Sequence, residues 1–299
     1  MLLLGELAAL GTSLCWSGGT ILFSIAGRLI GSYNVNKLRI LVAATFLTII
    51  LLVRFGTIFP TGFNQHVLIY LALSGIVGLS IGDTFYFRCL VILGPRQGSL
   101  MMSLAPVMTA FLAFLFIGER LSLMAIAGIA VTLAGVSWVT TDKKNETAMD
   151  NREGSKALGI LMGIGGAAGQ AGGLVLAKQG MGADFDPMSA TWIRMISAAI
   201  AIWIIAISRG ETKATLAALR TRGAGYAIMG AAFLGPTIGV WLSLVAVQNT
   251  QAGIAATLMS LPPILVIPLT MIIHKEHPTW RSVIGATIAV IGVAMLFIE

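Results

Sequence analysis

"MSLAPVMTAFLAFLFIGERL", residues 102–121, is an apolar run that closes on a single glutamate, Glu119. "MSLPPILVIPLTMIIHKEHP", residues 259–278, is built the same way and closes on Glu276. The two align without a gap at an offset of 157 residues: Met102 with Met259, Ser103 with Ser260, Leu104 with Leu261, Pro106 with Pro263. At the same offset Gly78 meets Gly235, Gly82 meets Gly239, Gly128 meets Gly285 and Gly135 meets Gly292. Upstream the offset shortens slightly. Gly18-Gly19 meets Gly172-Gly173 at 154, and Arg39 meets Arg194 at 155. The second half of the chain reads as a diverged copy of the first.

Composition says where both copies reside. Hydrophobic residues make up 57% of the 299 positions and charged residues 10%, against about 25% charge in a soluble domain. Mean hydropathy is +0.92. The chain lacks the polar surface to cover a water-soluble globule, so it belongs in a lipid bilayer. The net charge of +7 is then read as a topology signal in loops, with no nucleic-acid partner implied. Cys15 and Cys89 both lie in apolar runs and read as packing residues. The opening "MLLLGELAAL" has no basic n-region and runs into a full-length span, so it is expected to be an anchor.

A helix needs about 20 apolar residues to cross the hydrocarbon core. Ten runs meet that need: 6–27, 36–53, 66–87, 96–117, 122–140, 157–178, 188–208, 224–247, 251–273 and 280–298. The expectation is an all-α membrane protein. Residues 1–140 form one five-helix repeat, 141–156 a polar linker, and 157–299 the second repeat. Five is odd, so the second copy must enter the membrane from the opposite side, which is an inverted-topology repeat. Glu119 and Glu276 would then lie at opposite faces, each before the first turn of the next span, where a negative charge is favourable.

These residues also carry a resemblance. "SLAPVMTAFLAFLFIGERLSLMAIAGIAVTLAGV", residues 103–136, preceded by "GLSIGDTFYFRCLVILG", residues 78–94, resembles the EamA-type domain of the drug/metabolite transporter superfamily. The second half matches more loosely, through "SLPP", Glu276, Gly285 and Gly292. Its "HKEHP" replaces the "GER" of the first half, so only Glu276 carries over there. The resemblance implies a ten-helix carrier for small solutes, often an exporter, without identifying the solute.

Asp83 stands well inside the third span, where an ionisable group costs roughly 2.5–3.5 kcal/mol and marks a functional site. Its repeat counterpart is Val240, so the architecture does not itself demand a carboxylate. Tyr86 and Phe87 follow on the same helix face, and a carboxylate beside a ring suits a cationic or amine-bearing solute. The competing reading is a structural clasp between Asp83 and Arg39 or Arg88. Arg88 is expected to snorkel to the interface, and Arg39 and Arg194 to be structural or interfacial. Trp16 and Gln170, matched between the halves and flanked by small residues, are candidates to line a cavity, as is Trp241. Ser103 and Ser260 precede Pro106 and Pro263, which are expected to bend the fourth and ninth spans. Met101, Met102 and Met259 would add an adaptable apolar wall. The glycine-rich sixth span reads as a close-packing helix, and the seven-residue glycine spacings predict tight packing by the fifth and tenth spans. A role for those glycines in dimerisation is left open, as is the choice between monomer and homodimer.

Other function classes lack support in the residues. No P-loop is present, and His66, His274 and His277 fall in loops or at span ends. "HKEH" offers two ligands without a third, so no metal and no cofactor are expected. An intramembrane enzyme would need a nucleophile and base that are not found together. A lipid-linked sugar flippase is the alternative carrier class. The expected partners are a small-molecule solute and the lipid bilayer, the latter a bacterial plasma (inner) membrane.

Basic residues set the orientation. Connections after the second, fourth and sixth spans hold only Arg54, Arg120 and Lys178. The opposite set holds Arg28, Lys37, Arg96, Lys143, Lys144, Arg152, Lys156, Arg209, Lys213, Arg220, Arg222, Lys275 and Arg281. Positive-inside bias places the second set in the cytoplasm and both termini outside. A C-terminal reporter that works only in the cytoplasm should therefore be silent, and one that works only outside should be active.

Overall fold

Hydrocarbon offers backbone amides no partner, so a chain this apolar must satisfy them within helices. The computed structural model describes residues 3–93, 98, 101–140, 155–265 and 279–297, and among these all regular structure is helical. Glu276, the "HKEH" segment and most of the 141–156 linker lie outside the described residues.

The first half contributes α1 (Leu4–Ile30), α2 (Ser32–Phe55), α3 (Gln65–Ser74), α4 (Asp83–Leu93), α5 (Ala105–Ile117) and α6 (Leu123–Thr140). The second half contributes α7 (Lys156–Met181), α8 (Pro187–Ser208), α9 (Thr212–Ala218), α10 (Ala224–Ala232), α11 (Val240–Asn249), α12 (Ala252–Met259) and α13 (Trp280–Phe297). A π-helical stretch, Gly75–Gly82, joins α3 to α4 in one rod, and another, Phe233–Gly239, joins α10 to α11. Among the described residues, five helical rods are long and apolar enough to cross a membrane: Tyr33–Phe55, Gln65–Leu90, Lys156–Met181, Pro187–Ser208 and Ala224–Asn249. Ala105–Ile117, Leu123–Val139, Ala252–Leu265 and Val283–Phe297 are shorter apolar helices.

Repeat-matched helices pack on each other and run antiparallel. The start of α2 meets the far end of α8 through Lys37 Nζ and Glu211 Oε2 at 2.9 Å. The end of α2 meets the start of α8 through Arg54 and Asp186 at 3.5 Å. In the same sense α6 lies against α13, with Gly128 facing Gly292 and Gly135 facing Gly285. A Cβ on Gly285 would stand 2.9 Å from the Gly135 oxygen, and one on Gly292 would stand 2.8 Å from the Gly128 oxygen. The glycine face predicted for the fifth and tenth spans is thus filled within one chain.

The remaining pairings cross between halves. Helix α1 runs along the α10–α11 rod, and α7 runs along the α3–α4 rod. The glycines of α7 make the second crossing close. A Cβ on Gly169 would lie 2.6 Å from Gly82 Cα, and one on Gly173 would lie 2.8 Å from Gly78 Cα. Carbon atoms pack at about 3.5–4.0 Å, so neither position has room for a side chain. Both π stretches end at the matched glycines Gly82 and Gly239. A π turn re-aims the residues that follow it and recurs at functional sites. Here the residues that follow are Asp83 and Val240. Pro236 sits inside the second stretch, where the looser turn tolerates its missing N–H.

Gly173→Leu should therefore abolish folded, monodisperse protein, whereas Ala168→Leu, on the exposed face of the same helix, should leave yield and melting temperature unchanged. Size-exclusion profiles of the two variants in detergent test this; equal behaviour would contradict the packing.

Candidate functional site

A close backbone approach lies one residue from the most polar point of the interior. Gly82 touches Gly169, and the residues that follow them, Asp83 and Gln170, meet. Gln170 Nε2 donates to Asp83 Oδ1. Asp83 Oδ2 accepts from Nη2 of Arg39, which arrives from α2. Arg39 in turn donates from Nε to Asn36 Oδ1 at 2.9 Å. Asp83 and Arg39 are buried, with exposures of 5% and 2%. Of the two arginine partners the sequence offered for Asp83, the structure uses Arg39; Arg88 is exposed.

Three rings surround the Arg39 guanidinium. Its Cζ lies 5.8 Å from the Trp16 ring centroid, 5.6 Å from Phe23 and 5.3 Å from Phe87. This is cation–π distance. The cation beside Asp83 and the aromatic residues is therefore the protein's own arginine. Tyr86 packs its Cβ toward Gly166, so Phe87, its neighbour, is the ring over Arg39. Trp241 is half-buried in an apolar cluster with Trp16, Leu79 and Val240. Trp16 and Gln170, matched residues of the two halves, thus reach the same ion pair from opposite sides. Phe87, named with Tyr86 in the sequence, takes its place here, and Asn36 and Phe23 complete the site without having been singled out there. Asn36 alone left a signal, a second polar residue three positions before Arg39 on the same helix face.

Arg194, the counterpart of Arg39, also turns inward and is 3% exposed. It enters from α8 and lies over Gly78, where a Cβ would come within 3.6 Å of Nη2. Its charge acts on Asp83, yet its Nε and Nη1 are buried without a hydrogen-bond partner. Eight residues into their helices, both arginines sit about 10 Å from the helix starts. Lipid facing would be costly at that depth, so both turn inward; Asp83 pairs with Arg39 there, while Arg194 Nε and Nη1 find no partner.

Other candidates lie elsewhere. Span four is interrupted by a turn at Ser103 and Leu104, and Pro106 stands in the first turn of α5, where its missing N–H is harmless. Ser260 ends α12 and donates to the Thr257 oxygen at 2.7 Å; Pro263 lies in the helical residues 262–265 beyond it. Breaks at matched serines, rather than proline kinks inside a continuous helix, mark both spans. Met101 and Ser103 line an apolar pocket of about 390 Å³ between α5 and α6, away from Asp83. Met102 is half-buried beside them.

Glu119 departs from its expected role. Ser122 Oγ caps α6 by accepting from Ala125 N at 3.0 Å. Glu119 instead reaches into the other half, where Oε2 accepts from Ala252 N, the first residue of α12, at 2.8 Å. Its Oε1 pairs with Lys178 Nζ at 2.5 Å, and Lys178 also donates to the Thr250 oxygen. A polar pocket of about 440 Å³ opens beside this network, lined by Glu6, Lys178, Gln248 and Gln251 among others.

The family model described as the EamA-like transporter family matches residues 3–141 and 157–298. None of the curated proteins compared matches the chain. A crystal structure described only as that of a protein superposes with a TM-score of 0.75 at 17% identity, over 99% of this chain and 96% of its own. That likeness concerns the fold alone.

Asp83→Asn would leave two arginines buried without a counter-charge, and breaking such a pair costs about 3–5 kcal/mol. Folded yield and melting temperature should fall together. Arg39→Gln in the same background should recover much of both. An Asp83→Asn protein as stable as the parent would contradict the pairing.

Proposed function

Because the chain belongs to the EamA-like transporter family, we propose that it is a secondary transporter that carries small organic solutes across a bacterial plasma membrane by alternating access. The reading includes ten spans in two inverted five-helix repeats, joined by residues 141–156, with both termini outside. The antiparallel packing of α2 on α8 and of α6 on α13 supports inversion, because a copy in the same orientation would give parallel counterparts.

One observation carries the reading. A buried ion pair from the first half, Arg39–Asp83, is bonded at membrane depth by Gln170 of the second. Ionisable groups at that depth mark solute and ion pathways. This cluster sits on the α4–α7 seam, which is lined by glycines and has no interlocking side chains at Gly82, Gly169, Gly78 and Gly173. Small residues let the two backbones approach this closely, and the bonds that hold the seam are few and polar: Ser74 to the Gly173 oxygen and Gln170 to Asp83. Motion of one half against the other changes the Gln170–Asp83 bond directly and couples solute occupancy to the seam. Glycine seams also suit the rocking motion expected of repeat-built carriers.

Solute counterflow in proteoliposomes tests the proposal. Liposomes preloaded with one solute of a chemically varied panel should take up the labelled form saturably, above protein-free controls. Gln170→Ala should slow that uptake at least about tenfold, since a lost hydrogen bond to a charged group amounts to roughly 1.5–3 kcal/mol, while the protein remains monodisperse. Uptake no greater than in protein-free liposomes across the panel, or a Gln170→Ala rate equal to the parent's, would contradict it.

A further inference from the structure

The interior cluster does not balance. Arg39 and Arg194 bring two positive charges, and Asp83 brings one negative charge. Lys37, the other buried cation in α2, is matched by Glu211 at 2.9 Å. Asp83 gives its two oxygens to Arg39 and Gln170. Arg194 is left with Nε and Nη1 buried and unpartnered, although a buried unpaired charge is among the most destabilising features a fold can carry. Repeat symmetry sharpens the point. Two matched arginines converge on one carboxylate whose own counterpart is Val240, so the second half supplies an arginine without its acid.

The geometry points to Arg194 as the anchor for an anionic group of the transported solute, a carboxylate or a phosphate. This inference rests on the carrier reading above. A guanidinium presents a planar fork of donors that fits either oxyanion and stays charged under all physiological conditions. Bare backbone at Gly78 lets the group stand beside α3–α4 without a side chain in the way. Half-buried Trp16 and Trp241, in the apolar cluster next to Asp83, supply surface for the rest of the solute. The aromatic site a cationic solute would need is already filled by Arg39. An anion completes the charge count; an amine would worsen it.

The test uses the full-length protein in detergent at constant ionic strength. Melting temperature is followed against sodium benzoate and acetate in one arm, phenyl phosphate and inorganic phosphate in a second, and benzamide and benzylammonium in a third. One of the anion arms should stabilise saturably, and the arm that does so identifies the oxyanion. Benzamide and benzylammonium should not. Arg194→Gln should raise the half-saturating concentration at least about tenfold, as loss of a charge-assisted bond requires. Without ligand it should be no less stable than the parent, because an unpaired charge has been removed. Arg194→Lys should fold and bind with intermediate affinity. The proposal is overturned if no anion stabilises, if the third arm stabilises instead, or if Arg194→Gln keeps the parent's response. It is also overturned if Arg194→Gln fails to accumulate while Arg194→Lys does, which would show the charge to be satisfied within the protein. Counterflow separates this from the carrier reading. An anion that binds through Arg194 but does not cross preserves the site and ends the carrier. A cation carried equally well by Arg194→Gln preserves the carrier and ends the site.

Discussion

The contact of Gly82 with Gly169 is the constraint from which the rest follows. Two helices from different halves approach there until their backbones touch. Only that closeness lets the following residues, Asp83 and Gln170, share a hydrogen bond in the membrane interior. A side chain at Gly169 would stand 2.6 Å from Gly82 Cα and push the helices apart, lengthening that hydrogen bond. The bond in turn fixes Asp83 to face α2, where Arg39 waits within its ring of aromatics. Sequence, packing and electrostatics are one chain of causes at this point. Glycine permits proximity, proximity permits pairing, and pairing permits charge at a depth where unpaired charge is expensive.

Repetition supplies the frame, and its imperfections supply the chemistry. The α7 seam closes on backbone at Gly82 and Gly78, whereas in its counterpart the Trp16 ring lies against Gly235 and Gly239; matched arginines enter from opposite ends of the bundle. The symmetric parts pack: α2 on α8 and α6 on α13. The asymmetric parts do what packing alone does not require. Asp83 faces Val240 across the repeat, and Trp16 faces Gln170. A carrier built from two copies needs the copies alike enough to exchange roles and different enough to hold one solute in one orientation. Divergence at the crossing meets both needs without disturbing the seams.

Much of this was legible in the sequence. The offset of 157 revealed the copy, and the glycine spacing revealed which helices approach closely. Asp83 stood out as a carboxylate at depth with an apolar counterpart. What the sequence hid has physical reasons. Helical-wheel reasoning compares residues of one helix, whereas Arg39 reaches Asp83 from α2, so the choice of arginine partner rests on how α2 packs against α4. Arg194 gave no sign of its unpartnered state, because that depends on which oxygens of Asp83 others have taken. Local spacing makes Glu119 a helix-start charge for α6, yet it caps α12 of the other half. Short-range spacing says nothing of such a contact, since its partner lies 133 positions away. Phe23 and Asn36 joined the site through α1 and α2 packing, a tertiary fact without a local motif.

The central claim is that transport requires one half to move against the other along the glycine seams. The Glu119–Lys178 pair bridges the halves at the rim and offers a direct handle on that motion. Cysteines at these two positions, in a background with Cys15 and Cys89 replaced by alanine, can be joined by a short reducible thiol cross-linker. Solute counterflow is then measured before and after reduction. The account predicts that cross-linked protein carries no solute and that reduction restores the uncross-linked rate. Undiminished counterflow through fully cross-linked protein would contradict it.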